Sequence, residues 1–162
     1  MTRKIGFGGG CHWCTEAVFK SLRGVQSVEQ GWIASFPPNG SFSEAVIVLF
    51  DPQEIRLHDL IDIHLHTHSS TSNHSMRGKY RSAIYYFDTG DAAEATNSIA
   101  ALQSNFQDAI ITTVLPYVDF KPSLPEHLNY YHSDPAKPFC KLYIDPKLAM
   151  LQQKYSYHVE RM

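Results

Sequence analysis

The stretch that most constrains this chain is Gly6-Phe7-Gly8-Gly9-Gly10-Cys11-His12-Trp13-Cys14-Thr15-Glu16. Glycines have no Cβ, so here the backbone can turn sharply and pass close to other groups. A helical pattern follows at once. Val18, Phe19 and Leu22 share a face, Glu16 and Lys20 form an i,i+4 pair in the favourable order, and Gly24 suits the stop. Cys11 therefore falls where a strand-to-helix turn ends and a helix begins. Unpaired N–H groups and the helix dipole stabilise a thiolate at that position, and the thiolate is the nucleophilic form of cysteine. Cys14 adds a Cys-x-x-Cys spacing that can close into a redox disulfide. Cysteines also serve as small buried hydrophobes or metal ligands, so the motif by itself leaves catalytic, redox and structural roles open.

Size and charge narrow the classes. A chain of 162 residues suits a single catalytic domain spanning 1–162 with a real core. A net charge of −2 supplies no basic field, which argues against a nucleic-acid partner. No apolar run reaches membrane-spanning length, and Met1-Thr2-Arg3-Lys4-Ile5 leads into glycines rather than a signal core. Three cysteines, an odd number, fit working thiols in a reduced compartment better than a secreted disulfide scaffold. The expectation is a cytoplasmic protein, and nothing in the sequence demands more than a monomer.

Periodicity gives the elements. Strands are expected at 3–7, Val25–Ile33, Phe42–Phe50, Tyr80–Phe87 and Ile110–Val118, the last an edge because of Pro116. Phe42–Phe50 is apolar on both faces and should be central. Helices are expected at 12–23, Ile55–His66, Asp91–Phe106 and Pro146–Tyr155. In the second of these, Leu57, Leu60, Ile61 and His64 point inward. Residues 67–79 are polar and irregular, and 119–144, with four prolines, read as a long surface arm. The order predicts an α+β two-layer sandwich with a mixed, largely antiparallel sheet, a ferredoxin-like core and an irregular C-terminal arm.

Several side chains carry possible chemistry. Glu44 shares a strand face with Phe42, Val46 and Val48; burial there would raise its proton affinity and suit it to donate a proton, whereas a frayed strand end would leave it in water. Tyr80 opens a strand beside the polar loop, where a phenol can donate to a developing oxyanion, although most strand tyrosines simply pack. Trp13 is an aromatic wall beside the thiol. Nine histidines include His64 and His68 at i,i+4, a metal-ligand spacing, but the His64-x-His66-x-His68 run equally suits a solvated helix end, and no metal is expected.

These residues and others downstream resemble the methionine sulfoxide reductase A family. Gly10-Cys11-His12-Trp13-Cys14-Thr15-Glu16 is similar to its Gly-Cys-Phe-Trp-(Gly/Cys)-x-Glu motif. Gly24-Val25, Gly31-Trp32, Ser43-Glu44-Ala45-Val46 and Phe50-Asp51-Pro52 continue the likeness. So do Tyr80-Arg81-Ser82-Ala83-Ile84-Tyr85, Tyr131-His132, Phe139-Cys140 and Asp145-Pro146-Lys147-Leu148. The resemblance implies reduction of methionine-S-sulfoxide, protein-bound or free, as in repair after oxidative stress. Cys11 would be the nucleophile, Glu44 the acid and Tyr80 a donor, with Trp13, His12, Trp32 and His68 around the substrate. Cys11 would become a sulfenic acid, then a disulfide with Cys14 or Cys140, with Cys14 the preferred partner. The implied electron donor is an external dithiol such as thioredoxin, with no metal or organic cofactor. The chain departs from the pattern at His12, where the family has Phe; at Ser75, where it has Asp; and at Ser69 and Ser70, which replace Asp and Pro. The family's second tyrosine donor has no clear counterpart. Two other readings are a general Cys-x-x-Cys thiol–disulfide oxidoreductase and a non-catalytic sulfoxide- or metal-binding sensor on the same fold.

Overall fold

The structure is a computed structural model that describes residues 2–73, 75–125, 128 and 140–159. Its elements in order are β1 (Arg3–Gly8), α1 (His12–Lys20), β2 (Val25–Ala34), β3 (Ser43–Phe50), α2 (Leu57–His66) and a 3-10 turn (Ser75–Gly78). There follow β4 (Ala83–Tyr86), α3 (Thr89–Leu102), β5 (Thr113–Pro116), β6 (Asp119–Pro122), a π-helical turn (Cys140–Ile144) and α4 (Asp145–Lys154). The strands form one sheet in the order β5-β4-β1-β3-β2-β6. All neighbours are antiparallel except β4 and β5. This is the expected α+β architecture with a mixed, largely antiparallel sheet.

β3 is central, as its two apolar faces require. Val46, Val48 and Phe50 join Ile5, Phe7 and the inner faces of the helices in the main core. Ala45 and Ile47 join Ile33, Ala83 and Tyr85 in a smaller cluster. The glycine run is anchored in the main core: the Phe7 ring stacks on Phe19 of α1 with centroids 4.7 Å apart. Burying an aromatic ring of this kind contributes roughly 2–3 kcal/mol. In α2 the residues expected inward, Leu57, Leu60, Ile61 and His64, are all buried. In α4, Leu148, Leu151 and Tyr155 are buried as one side.

Several boundaries differ from the sequence reading. α1 stops at Lys20 rather than 23, because both the N–H and the hydroxyl of Ser21 donate back to the Val18 carbonyl. β4 begins at Ala83 rather than Tyr80. The backbone ahead of it is already engaged: the Ser43 hydroxyl donates to the Lys79 carbonyl at 2.9 Å and accepts the Arg81 N–H at 2.7 Å. Arg77 donates to the Tyr80 carbonyl at 2.9 Å. Residues 119–122, read as arm, instead form β6 on β2, where Gly31 permits close approach; a Cβ there would lie 2.2 Å from the Lys121 carbonyl oxygen. Most of the rest of the arm, including Tyr130, Tyr131, His132 and Phe139, lies outside the described residues. Among the described residues no helix is long and apolar enough to cross a membrane.

His64 and His68 brace the glycine turn. His64 is buried against Phe7, and its Nε2–H donates to the Gly8 carbonyl at 2.8 Å. His68 Nδ1–H donates to the His64 carbonyl and Nε2 pairs with the Ser82 hydroxyl at 2.8 Å. Burial holds His64 well below the usual imidazole range, and His68 is pushed down to about 3 by the same cause. Both rings are thus neutral in the fold, whereas in the unfolded chain each takes up a proton near pH 6.5. Acid therefore favours the unfolded chain. The stability from the neutral pair is intact above about pH 6.5 and falls by about 1.4 kcal/mol per histidine for each unit below it, toward pH 3. Urea midpoints measured from pH 7 to pH 5 are expected to fall accordingly. His64→Gln is expected to be less stable at pH 7 but to show a flatter pH slope.

Candidate active site

The site is built where the glycine turn meets the start of β3. Cys11 is the N-cap of α1, and its carbonyl accepts the N–H groups of Cys14 and Thr15 at 3.1 and 3.2 Å. Gly9 makes the turn possible. It sits at φ +147°, and a Cβ there would lie 2.5 Å from the His68 ring. Arg77 ties the same loop from outside, donating to the Gly9 carbonyl at 2.7 Å.

The Cys11 thiol is held below its ordinary pKa. The largest cause is a hydrogen bond from the Cys14 side chain, helped by the backbone N–H groups of Trp13 and Cys14. Partial burial and the nearby Glu44 charge act in the opposite direction. The helix start thus contributes as expected, but the second cysteine contributes more. No disulfide joins Cys11 and Cys14.

Glu44 is 5% exposed, so the reading of a frayed strand end in water does not apply. Its Oε1 accepts the His12 backbone N–H at 3.2 Å and lies 3.6 Å from His12 Nε2. Its Oε2 lies 3.5 Å from Lys79 Nζ. Lys79 itself is exposed, and its pKa is raised by the Tyr80 hydroxyl and then by Glu44. The His12 ring is buried; its Nδ1–H donates to the Gly31 carbonyl at 2.9 Å and its centroid is 5.0 Å from Trp32.

A cleft of about 370 Å³ is lined by Cys11, His12, Trp13, Trp32, Glu44, Lys79, Tyr80 and Ser123. It brings together most of the residues singled out in the sequence. Tyr80 reaches it from a loop rather than from a strand. His68, expected at the substrate, does not line it; its ring is turned behind Gly9 to hold the loop. The Cys140 side chain lies outside the described residues. Sequence reasoning missed Lys79, Ser123 and the bracing role of Arg77. The position of Lys79 directly before Tyr80 was the available signal. Among the described residues no three His, Cys, Asp or Glu side chains converge as metal ligands.

An acidified thiol beside a buried carboxylate, in a cleft walled by two indoles, is the equipment of a thiol-dependent enzyme. The sequence model for peptide methionine sulfoxide reductase matches residues 3–159, and the chain belongs to that family. It is 33% identical over 165 residues to peptide methionine sulfoxide reductase MsrA of Acinetobacter baumannii (strain AYE), covering 93% of this chain and 95% of the relative. The fold is similar to that of Mxr1 from Saccharomyces cerevisiae in reduced form, with a TM-score of 0.77 at 20% identity over 86% of this chain and 89% of that one. It is also similar to Mxr1 in complex with Trx2, with a TM-score of 0.63 at 21% identity over 80% and 84% of the two chains.

Removing the Cys14 hydrogen bond should raise the Cys11 thiol. In a Cys140→Ser background, Cys14→Ala is expected to move the pH midpoint of iodoacetamide alkylation upward.

Proposed function

We propose that this protein reduces methionine-S-sulfoxide, protein-bound or free, to methionine. The observation that carries the reading is the shared cleft: the acidified Cys11 thiol and the buried Glu44 carboxylate line one cavity. The Cys11 thiolate takes the oxygen of the sulfoxide, and a proton from Glu44 goes onto that oxygen. Methionine leaves, its sulfur gaining the two electrons that Cys11 loses, and Cys11 becomes a sulfenic acid. A second thiol condenses with it, releasing water and forming a disulfide. An external dithiol of the thioredoxin type then reduces the disulfide, so no prosthetic group is needed.

In this reading Tyr80 donates to the oxygen, and Trp13 and Trp32 wall the methyl group. Cys14 is the preferred resolving thiol, since its side chain already hydrogen-bonds Cys11 and closes the shortest loop. Cys140 is the alternative. The protein works as a single catalytic domain over 1–162, in the cytoplasm and as a monomer. The succession β1-α1-β2-β3-α2-β4 with strand order β4-β1-β3-β2 supports describing its core as ferredoxin-like. General thiol–disulfide exchange would have no use for the buried Glu44.

Dithiol-dependent reduction of a methionine-S-sulfoxide peptide is expected to vanish in Cys11→Ser. In Glu44→Gln, kcat is expected to fall by about 10²–10⁴ with little change in KM, the range for a lost general acid. Activity retained in Cys11→Ser would refute the assignment. Peptide mapping after a single turnover is expected to show a Cys11–Cys14 disulfide, and a Cys11–Cys140 peptide instead would make Cys140 the resolving residue.

A further inference from the structure

His12 stands where the family pattern has an apolar Phe, and it lines the cleft with a ring that carries polar partners on both nitrogens' sides. Its ring is clamped between two acceptors, the Gly31 carbonyl at 2.9 Å from Nδ1 and the Glu44 Oε1 at 3.6 Å from Nε2. A carbonyl can only accept, so Nδ1 carries a proton in the neutral ring and in the charged one. The state of the site is therefore decided at Nε2. The His12 backbone N–H holds the same Oε1 at 3.2 Å, which fixes the carboxylate in front of the ring. Both side chains are 7% exposed, so water is a poor substitute partner for either.

We propose that His12 is a positioning residue that shares one proton with Glu44 and thereby keeps the acid supplied at neutral pH. The proposal rests on the sulfoxide-reduction reading above. The pair has two arrangements with one proton: a neutral imidazole facing a carboxylic acid, or an imidazolium facing a carboxylate. Without that proton a bare Nε2 lone pair would face a carboxylate oxygen, two acceptors opposed in a buried site, which is unfavourable. The other titratable groups lining the cleft are Cys11 from the glycine turn and Lys79 and Tyr80 from the loop before β4. The packed face of β2 offers the Gly31 carbonyl and the Trp32 indole, neither of which titrates near neutrality. Lys79 places an opposite charge 3.5 Å from Oε2, the other oxygen of the same carboxylate.

The proton count closes over a cycle. The pair gives one proton to the sulfoxide oxygen as Cys11 becomes the sulfenic acid, leaving neutral His12 and the Glu44 carboxylate. Condensation with the second thiol uses that thiol's own hydrogen and releases water. Reduction by the external dithiol returns both cysteines as thiols. The proton that Cys11 then sheds to regain its thiolate equals the one the pair must recover.

The test compares the wild type with His12→Phe on a methionine-S-sulfoxide peptide with dithiothreitol, across pH. His12→Phe is expected to lose about tenfold in kcat at pH 8 and less than twofold at pH 5.5, where the higher proton activity of the solvent reloads the site without the imidazole. A loss of the same size at both pH values would mark a packing role and overturn the proposal. The second arm needs no turnover. The His12 imidazole, assigned by its absence in His12→Phe or by segmental labelling, is titrated by ¹⁵N NMR in the wild type and in Glu44→Gln. Its midpoint is expected to drop by at least about one unit when the carboxylate becomes an amide; an unmoved midpoint overturns the proposal. Should the wild type fail to reduce the peptide, the sulfoxide reading fails, and the titration still decides whether the pair exists.

Discussion

The site depends on one buried carboxylate. Glu44 is nearly removed from water at the end of the central strand, and an isolated charge there would be costly. It is accommodated because groups from two other parts of the chain converge on it: the backbone N–H of His12 at the start of α1 donates to Oε1, with the His12 ring packed 3.6 Å away, and the Lys79 charge from the loop before β4 lies 3.5 Å from Oε2. Each contact also fixes its own element. The backbone bond sets the start of α1 against β3, and that in turn places the Cys11 thiol at the same cavity. Acid, nucleophile and helix start are thus one arrangement rather than three placed independently.

The glycine turn is held to similar tolerance. Arg77 binds the Gly9 carbonyl from outside, His64 binds the Gly8 carbonyl from the core, and His68 fills the space where a Gly9 side chain would stand. A turn braced on its carbonyls fixes where α1 begins, and the N–H groups of Trp13 and Cys14 in the first turn of that helix help acidify Cys11. The histidines that invite a metal reading in the sequence are occupied in this bracing, as neutral rings.

Much of this was legible in the sequence where one physical signal dominates. The period-3.6 pattern of α2 and the two-faced apolar run of β3 led to the observed buried residues. Glycines before a helical pattern were enough to place Cys11 at a helix start. Reading failed where a side chain overrides local preference. Tyr80 precedes the strand formers Ile84 and Tyr85 in one run, yet Ser43 takes the backbone groups of Lys79 and Arg81, so the ladder starts late. β6 was hidden by the prolines around it, because its pairing depends on the bare backbone of Gly31 across the sheet. Lys79 carries no sequence signal beyond its place before Tyr80, and His68 was assigned to the substrate from motif likeness while its hydrogen bonds turn it toward the loop.

The two outermost strands, β5 and β6, each finish in a proline, Pro116 and Pro122. Proline has no N–H to offer an incoming strand, so the rims of this sheet are poor templates for further pairing. For a protein whose proposed substrates include methionine sulfoxide held in other polypeptides, blunt rims favour encounter at the cleft over pairing along the sheet. A damaged client would be met by side chains at a pocket, and would find little backbone along the margins on which to seed aggregation.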